Sequence, residues 1–388
     1  MRGIWDCEWV TARGTDGFPV VGVVGGGQLA RMMQPAAIAL GVRLRVLAMI
    51  PDDSAAQVIP DVEIGDHRDL AALRRFARGC DVVTSDHEHV PPEHLAVLQE
   101  EGVVLRPGPD ALRHAQDKIV MRRRLTELGI PCPRWRVVQD LDEVRDFAET
   151  LGTDDVVLKT PRGGYDGRGV WRVRPHDPLP GPGPLLAEEP VAFTRELAVL
   201  VARSPHGQAA AYPVVRSIQA DGICREVIAP APSLLPDHAI SAQEIGLRIA
   251  GELGVVGMLA VEMFDTPAGV LVNELAMRPH NSGHWTIEGA VTSQFEQHLR
   301  AVLDLPLGET RAAAPYAVMV NILGGTEKDL YGGYLHCMAR DPALHIHAYG
   351  KEVRPGRKVG HVTALGADLD ATLERARHAA AYLRGEDV

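Results

Sequence analysis

Short apolar runs alternate with amphipathic stretches between Val20 and about Leu112. The apolar runs are FPVVGVVG, VRLRVLAM, DVVTSD and VVLRPG, and the amphipathic stretches between them are QLARMMQPAAIALG, RDLAALRRFARGC and EHLAVLQEEG. Strands that alternate with helices are typical of a parallel sheet covered by helices. We therefore predict a ligand-binding edge at the carboxyl ends of the strands, where loops begin at Gly25, Asp52 and Ser85.

The pattern changes further along the chain. The stretch DALRHAQDKIVMRRRLTELGIPCP predicts a single amphipathic helix that ends at Gly129 and Pro131. Turns separate the next apolar runs, among them DDVVLKT, GVWRVR, RELAVLVARS and GICREVIAPA, so we expect a mostly antiparallel sheet. A helix at SAQEIGLRIAGELG then precedes two strands joined by the turn Thr-Pro-Ala-Gly. A smaller region from about Thr310 ends in the helix LDATLERARHAAAYLRG.

Length and composition fit a soluble globular protein. A chain of 388 residues predicts two or three domains, and 46% hydrophobic with 23% charged residues is an ordinary globular balance. No apolar run is long enough to span a membrane, and the first residues, MRGIWDCEWVTARGTDGF, lack the apolar core of a secretory signal. We therefore expect a cytoplasmic protein with no membrane partner.

The net charge disfavours one class of partner, and the cysteine pattern disfavours two kinds of cysteine site. The net charge of −11 disfavours nucleic acid, so any anionic ligand requires a local cluster of basic residues. The five cysteines are scattered and form no C-x-x-C pair, which predicts neither a disulfide framework nor a zinc site.

The stretch VGVVGGGQLA contains a dinucleotide-type glycine motif. Gly25, Gly27 and Ala30 match G-x-G-x-x-G/A, a pattern shared by NAD-dependent oxidoreductases. The acid that such enzymes place about 20 residues further on is missing there, since the nearest candidates, Asp52 and Asp53, lie further away. The start of the following helix still favours a phosphate or another polar ligand.

A second glycine-rich loop follows Lys159 in VVLKTPRGGYDGRGVWRV. Its glycines allow backbone N–H groups to approach phosphate oxygens, and the lysine adds charge. A Walker A loop is excluded because no G-K-[ST] and no helix follow, and the protein-kinase motifs are missing from the sequence. Phosphate binding is the functional interpretation of this loop, and a flexible hairpin turn is the structural alternative.

Two carboxylates flank the predicted hairpin turn. A five-residue loop would set Glu262 opposite Glu274, whereas a four-residue loop would set it opposite Asn273. Facing carboxylates are costly unless a cation separates them, so Mg²⁺ shared with ATP phosphates is one interpretation. Two solvent-facing glutamates are the other.

Clusters of donors follow in RPHNSGHW and in YGKEVRPGRKVGH. The first cluster suits a small planar oxyanion, held by the forked guanidinium of Arg278 beside His280, Asn281 and His284. The second brings together Lys351, Arg354, Arg357 and Lys358, and it predicts either a phosphate-binding loop or a solvated basic turn.

Taken together, GGGQLARM, DVVTSDHEHVP, GGYDGRG, EEPVAFTREL, NELAMRPHNSGHWT, SQFEQHLRA and YGKEVRPGRKVGH resemble the ATP-grasp superfamily. Within it the chain is similar to the purine-biosynthesis ligases that carboxylate 5-aminoimidazole ribonucleotide. The resemblance implies an α/β and α+β fold with a Rossmann-like parallel sheet in residues 1–117. An ATP-grasp domain in 118–309, with a lid at about 155–190, and a small C-terminal domain in 310–388 would follow. Met277 and Ser85 depart from the family pattern, as does the extension before Phe18.

The resemblance also implies ligand-binding roles by position. ATP would be held by Lys118, Lys159, Gly163, Gly164, Tyr165, Asp166, Gly167, Arg168, Gly169, Glu188, Glu189, Pro190, Val191, Glu196, Gln219, Asn273 and Glu274. The ribonucleotide would contact Gln28, Glu88, Tyr165, Lys351 and Arg357. The catalytic residues would be Asp166 as proton acceptor and Arg278, His280 and Asn281 around bicarbonate. Glu262 and Glu274 would bind Mg²⁺, with Mn²⁺ as a substitute, and a homodimer is expected.

The implied reaction is the carboxylation of an amine with bicarbonate. ATP would phosphorylate bicarbonate to carboxyphosphate, and the ring amine would attack that carbon directly or after release of CO₂. The alternatives are another ATP-grasp ligase, similar to glycinamide ribonucleotide transformylase or biotin carboxylase, and a non-catalytic nucleotide sensor.

Overall fold

The first sheet of the fold is parallel, as the alternation of strands and helices predicts. The computed structural model describes residues 17–164, 167–174 and 176–386. The sheet has the strand order β3-β2-β1-β4 and consists of β1 (Val20–Val24), β2 (Arg43–Ala48), β3 (Asp61–Ile64) and β4 (Val82–Ser85). Its helices are α1 (Gln28–Leu40), α2 (Leu70–Ala77) and α3 (Pro92–Glu100).

The single helix expected after residue 108 is wrong, because the chain forms two helices. These are α4 (Pro109–Gln116) and α5 (Lys118–Glu127), separated by Asp117 in an extended conformation. The Asp117 carboxylate accepts hydrogen bonds from the N–H groups of Ile119 and Val120, so it caps α5. A side chain that satisfies two free N–H groups favours a new helix start over continuation of the old helix.

A small antiparallel sheet follows, packed on α6 (Leu141–Leu151). It has the order β5-β8-β6-β7 and comprises β5 (Trp135–Val138), β6 (Val156–Lys159), β7 (Val170–Val173) and β8 (Leu185–Glu188). The glycine-rich loop connects β6 to β7. The unit that carries this loop comprises β5 to β8 and α6.

The largest sheet has nine strands and continues into the C-terminal region. Its path is β14-β13-β9-β11-β12-β15-β17-β16, with β10 paired to β9. The strands are β9 (Arg195–Arg203), β10 (Ala209–Ala211), β11 (Val215–Ala220), β12 (Ile223–Ala229), β13 (Gly257–Thr266), β14 (Gly269–Ala276), β15 (Tyr316–Leu323), β16 (His345–Ala348) and β17 (Lys358–Gly366). Because β12 pairs with β15, the C-terminal strands are hydrogen-bonded to the preceding domain.

Helices from the chain before and after β15 pack against this sheet. They are α7 (Pro236–Glu252), α8 (Thr286–Gly289), α9 (Gln294–Val302), α10 (Tyr334–Arg340) and α11 (Leu369–Leu383). The expected helices at SAQEIGLRIAGELG and at the C-terminus are confirmed as α7 and α11. In the part of the chain that the structure describes, no helix has the length and apolar character required to cross a bilayer.

The helix α9 joins the parallel sheet to the nine-stranded sheet. Phe295, Leu299 and Val302 pack in one core with residues of β1, β2 and α1. The buried His298 bridges the two sheets, since its Nε2 lies 2.9 Å from the Thr84 hydroxyl and its Nδ1 accepts from the Met258 N–H. Burial lowers the pKa of His298 to about 3, so the ring is neutral and makes one bond as donor and one as acceptor.

A buried charge network joins α5 to the small sheet and the large sheet. Glu188 in β8 accepts from Arg122 Nε of α5 at 2.5 Å and lies 2.7 Å from Lys159 Nζ of β6. Arg122 also donates to the Asn273 carbonyl at 2.7 Å, and Lys159 donates to the Asn273 side chain at 2.9 Å. Burial alone would raise the pKa of Glu188, but Arg122 and Lys159 outweigh it and lower the pKa. The carboxylate is therefore held in its charged form.

Replacing Glu188 with Gln should destabilise the fold strongly. The substitution leaves the Arg122 charge buried without its partner, which costs about 3 kcal/mol or more of the free energy of unfolding at neutral pH. Urea unfolding followed by circular dichroism measures the change. The matched control is Glu101→Gln, which breaks the exposed ion pair with Arg74 and should change the unfolding far less. Equal losses in the two variants would contradict the role of burial.

The lowered pKa of Glu188 also predicts how the stability of the protein depends on pH. Because the folded pKa of Glu188 lies below its usual 4.5, its contribution to stability is complete above pH 4.5. The contribution is lost as the pH falls through the folded pKa. Glu188→Gln should therefore unfold with a flatter pH dependence in this acid range than the parent protein.

Candidate active site

A cleft of about 540 Å³ lies where the three sheets meet, and it collects most of the residues singled out in the sequence. Those that line it are Gln28, Glu88, Lys118, Lys159, Gly163, Gly164, Gly167, Glu188, Glu189, Pro190, Val191, Glu196, Gln219, Glu262, Asn273, Glu274, Arg278, His280, Asn281, His284 and Lys358. The lining does not include Arg168, Gly169, Lys351 or Arg357. Tyr165 and Asp166 lie outside the described residues.

A β-bulge at Asn273 brings the hairpin carboxylates together. The turn between β13 and β14 has only Pro267 and Ala268 between the paired residues Thr266 and Gly269. That turn alone would pair Glu262 with Asn273, but the register shifts by one residue and Glu262 pairs with Glu274. A bulge re-aims side chains, and here both Asn273 and Glu274 line the cleft although they are neighbours in the strand.

A different side chain approaches each carboxylate of this pair. Lys118 Nζ lies 3.3 Å from Glu274, and His280 Nε2 lies 3.7 Å from Glu262. Burial, together with the charges of Arg278 and Lys358, lowers the pKa of His280 to about 3. The His280 ring is therefore uncharged at neutral pH, and its approach to Glu262 is not an ion pair.

The polypeptide around His280 is fixed by Gln294 of α9. The fully buried Gln294 amide accepts from the His280 N–H at 2.8 Å and donates to the His280 carbonyl at 2.9 Å. The Ser282 N–H donates to His280 Nδ1, so Nε2 carries the ring proton. The arrangement presents an N–H donor beside Arg278 and Asn281, as an oxyanion requires.

Arg278 is oriented by Glu88 from the end of the parallel sheet. Its Nε donates to Glu88 Oε2 at 2.8 Å, and this carboxylate outweighs the effect of burial, so the pKa of Arg278 is raised. The other oxygen of Glu88 is buried and has no hydrogen-bond partner among the described residues. A buried acceptor without a partner is costly, so Glu88 Oε1 would be stabilised by a donor group of a ligand.

Glu196 presents a second carboxylate of this kind. Its Oε2 is buried without a partner in the described part of the chain, and burial raises its pKa. Glu196 lies in β9 of the nine-stranded sheet and lines the cleft. A ligand hydroxyl group would satisfy this oxygen.

The glycines of the first loop enclose a carboxylate rather than a pyrophosphate. Asp86, at the end of β4, accepts from the Gly27 N–H at 2.7 Å. A Cβ on Gly25, which has φ +112°, would lie 1.8 Å from Asp86 Oδ1. Burial raises the pKa of Asp86 to about 6. The motif therefore allows close approach of Asp86, and Gln28, the first residue of α1, lines the cleft beyond it.

The glycine-rich loop between β6 and β7 approaches the turn between β11 and β12. Gly167 has φ +76°, and a Cβ there would lie 2.9 Å from Gly222 Cα. Both residues line the cleft. The loop therefore forms part of the cleft wall, and a side chain at 167 would push it away from β11 and β12.

Lys351 reaches the cleft edge on a segment that is tied to the N-terminal domain. The Ser54 hydroxyl donates to the Tyr349 carbonyl at 2.5 Å, and the Gln57 amide donates to the Gly350 carbonyl at 2.8 Å. Lys351 Nζ donates to the Gln28 side chain. The segment from Tyr349 to Lys351, here called the strap, thus places a cation beside the first glycine loop.

One cleft residue and two buried supports of the site were not assigned a role from the sequence. Lys358 lines the cleft, although the sequence indicated only its place in a basic cluster. Arg122 and Gln294 are fully buried supports of the site. A signal exists for Gln294, because it follows the helix-capping Ser293 in a segment that resembles the family. Arg122 stands among neighbouring arginines and carries no such signal.

Family models match the chain in three consecutive segments. The ribonucleotide synthetase preATP-grasp domain matches residues 19–116, the ATP-grasp domain residues 123–295, and the phosphoribosylaminoimidazole carboxylase C-terminal domain residues 317–375. These matches confirm the expected fold class of a parallel N-terminal sheet, a central ATP-grasp domain and a C-terminal domain.

Curated relatives and solved structures agree with these models. N5-carboxyaminoimidazole ribonucleotide synthase of Mycobacterium tuberculosis is 55% identical over 94% of this chain and 88% of its own length. The synthetase structure from Thermus thermophilus has a TM-score of 0.84 at 38% identity and covers 95% of this chain and 99% of that one. The Aspergillus clavatus synthase in complex with ADP and 5-aminoimidazole ribonucleotide has a TM-score of 0.84 at 32% identity, with 94% and 98% covered. The chain therefore belongs to the N5-carboxyaminoimidazole ribonucleotide synthase family of ATP-grasp enzymes.

Proposed function

We propose that this protein uses ATP and bicarbonate to carboxylate the amino group of 5-aminoimidazole ribonucleotide. The products are 5-(carboxyamino)imidazole ribonucleotide, ADP and phosphate. The observation that carries the proposal is one cleft that contains lysines beside a glycine-rich loop, as an ATP site needs, and a cluster of donors suited to a small anion. The strap borders this cleft. The Aspergillus relative, which binds ADP and the ribonucleotide, has the same fold.

ATP binds between the small sheet and the large sheet in this proposal. Lys118 and Lys159 face the phosphates. The glycine-rich loop from Gly163 to Gly169, which includes Arg168, also faces them, and the segment Glu188 to Val191 borders the base. The buried Glu196 oxygen accepts from a ribose hydroxyl, which satisfies its missing hydrogen bond. Gln219 and Asn273 complete the cradle from β11 and β14.

Glu262 and Glu274 fit a magnesium site that ATP completes. They are paired across adjacent strands, and no group of three or more His, Cys, Asp or Glu residues suited to a metal occurs in the described segments. One or two protein carboxylates with phosphates and water are the usual ligands of Mg²⁺, and Mn²⁺ suits the same oxygen donors. When bound, the metal neutralises charge on the transferring phosphoryl group.

Arg278, His280 and Asn281 hold bicarbonate next to the γ-phosphate. Their donors orient the anion for phosphoryl transfer and stabilise the carboxyphosphate that results. The cleft keeps this reactive species from water until the amine attacks, either on carboxyphosphate or on CO₂ released from it. Most of the rate enhancement then comes from positioning and electrostatics.

The ribonucleotide binds between the first glycine loop and the strap. Lys351 and Arg357 hold its 5′-phosphate, while Gln28, Glu88 and Tyr165 contact the rest of the molecule. The unpartnered Glu88 oxygen is suited to accept a hydrogen bond from the substrate. Asp166 accepts the proton of the ring amine, which is a weak nucleophile because it is conjugated with the ring.

The proposed enzyme is a cytoplasmic homodimer. Free thiols at Cys80, Cys132, Cys224 and Cys337 suit a reducing compartment. The homodimer is inferred from the family resemblance, and size-exclusion chromatography with light scattering measures it directly.

Release of ADP in a coupled assay tests the reaction and the role of Asp166. The parent protein should release ADP at full rate only with ATP, Mg²⁺, bicarbonate and 5-aminoimidazole ribonucleotide together.

Asp166→Asn should lower kcat by about 100-fold with little change in the ATP KM, because it removes a proton acceptor. Asp221→Asn, at the exposed turn after β11, is the control. Near-normal turnover of Asp166→Asn would contradict its role, and ADP release independent of the ribonucleotide would contradict the function.

Lys351→Ala should raise the ribonucleotide KM by about tenfold or more and change the ATP KM little. The reason is the loss of one charge-assisted hydrogen bond to the phosphate. Initial rates at varied concentrations of each substrate give both constants. Arg354→Ala is the matched control, since this arginine lies in the same basic segment and pairs with Glu352. A larger effect on the ATP KM than on the ribonucleotide KM would refute the assignment.

Glu262→Gln should raise the Mg²⁺ concentration needed for half-maximal activity by about tenfold or more, as the loss of even an indirect metal contact costs that much. Titration of Mg²⁺ at fixed total ATP measures it. Glu244→Gln, on the exposed face of α7, is the control. An unchanged Mg²⁺ requirement in Glu262→Gln would exclude Glu262 as a ligand.

A further inference from the structure

A buried asparagine of the C-terminal region holds a residue of the anion pocket. Asn321 lies in β15, within the otherwise apolar run YAVMVNIL, and is 1% exposed. Its Nδ2 donates to Asn281 Oδ1 at 2.8 Å, and its Oδ1 accepts from Asn281 Nδ2 at 3.0 Å. The two side chains thus form a reciprocal amide pair.

The Cys224 carbonyl determines the direction of this pair. It accepts the second N–H of Asn321 Nδ2 at 2.9 Å, so the Asn321 nitrogen must face β12. Asn321 Oδ1 then faces Asn281 Nδ2, and a flipped Asn281 amide would oppose donor to donor. One N–H of Asn281 stays outside the pair. The hydrogen bonds therefore fix which group Asn281 presents to the cleft.

The backbone on which Asn321 stands is also fixed. The strand β15 pairs with β12 through Val320 and Glu226, and with β17 through Asn321 and His361. A side chain on a central strand is held more precisely than one on a loop, and Asn281 itself lies in a short turn after β14. The strand thus gives the Asn281 amide a fixed partner, while Gln294 holds the backbone beside it.

We propose that Asn321 is a positioning residue for bicarbonate, acting through Asn281. The inference rests on the proposed function, in which Asn281 contacts bicarbonate. It gives the C-terminal region a part in the carboxylation chemistry as well as in ribonucleotide binding. Asn321 lies beyond the segment matched by the ATP-grasp model, residues 123–295, so the anion pocket is completed by the next domain.

A double-mutant cycle with Asn281 tests this role. Asn321→Ala should raise the bicarbonate KM by about tenfold, with the ATP KM within about twofold, as expected for a partner that orients a ligand-binding group. Asn281→Ala should raise the bicarbonate KM at least as much. The double variant should match Asn281→Ala alone, because Asn321 has nothing left to orient.

Further variants separate positioning from folding. Asn321→Asp keeps the shape but cannot donate to Asn281 or Cys224, so it should also raise the bicarbonate KM. Thr363→Val removes a buried polar group from β17 of the same sheet and should leave the bicarbonate KM unchanged. Thermal unfolding of each variant identifies those that fold.

The outcomes distinguish this inference from the proposed function. Parent protein that releases ADP equally with and without bicarbonate in CO₂-free buffer would overturn both. A bicarbonate-dependent parent with unchanged bicarbonate KM in folded Asn321→Ala or Asn321→Asp would overturn only the role of Asn321. Effects of the two alanine substitutions that multiply in the double variant would do the same, because they would show that Asn321 acts independently of Asn281.

Discussion

A carboxylate buried between two cations is the constraint on which the cleft depends. Glu188 can remain charged in the interior only if Arg122 and Lys159 both reach it, and these come from α5 and β6. Arg122 and Lys159 in turn bind Asn273. A buried charge without its partners is so unfavourable that these elements have one acceptable arrangement. The position of Lys159 in the cleft follows from that arrangement.

Local patterns in the sequence were sufficient for much of the fold. The alternation of runs predicted the parallel sheet, and the turn residues between Glu262 and Glu274 predicted the hairpin, because both depend on neighbours in sequence. The motifs around Gly163 and Arg278 indicated phosphate and oxyanion chemistry for the same reason, and the family resemblance implied one site for both. Each motif is a short segment whose chemistry is visible without knowledge of its packing.

The remainder depends on contacts between distant residues. Nothing local distinguishes the buried Arg122 from Arg123 and Arg124, since only the position of Glu188 decides which one is paired. The bulge at Asn273 leaves no mark in the turn, although it changes which side chains face the cleft. Asn321 did carry a signal, because a single amide in an apolar strand needs buried partners. Its partner Asn281 could not be identified from sequence.

The strap has a consequence for the order in which the protein becomes competent during synthesis. Gln28 and Lys351 are separated by 323 positions, and a ribosome adding about 5–20 residues per second needs roughly 15 to 65 seconds between them. The strands that carry the proposed ATP-binding residues, β6 to β14, leave the ribosome before the strap does. A nascent chain can therefore assemble the proposed nucleotide-binding side of the cleft while the side bordered by the strap is still incomplete.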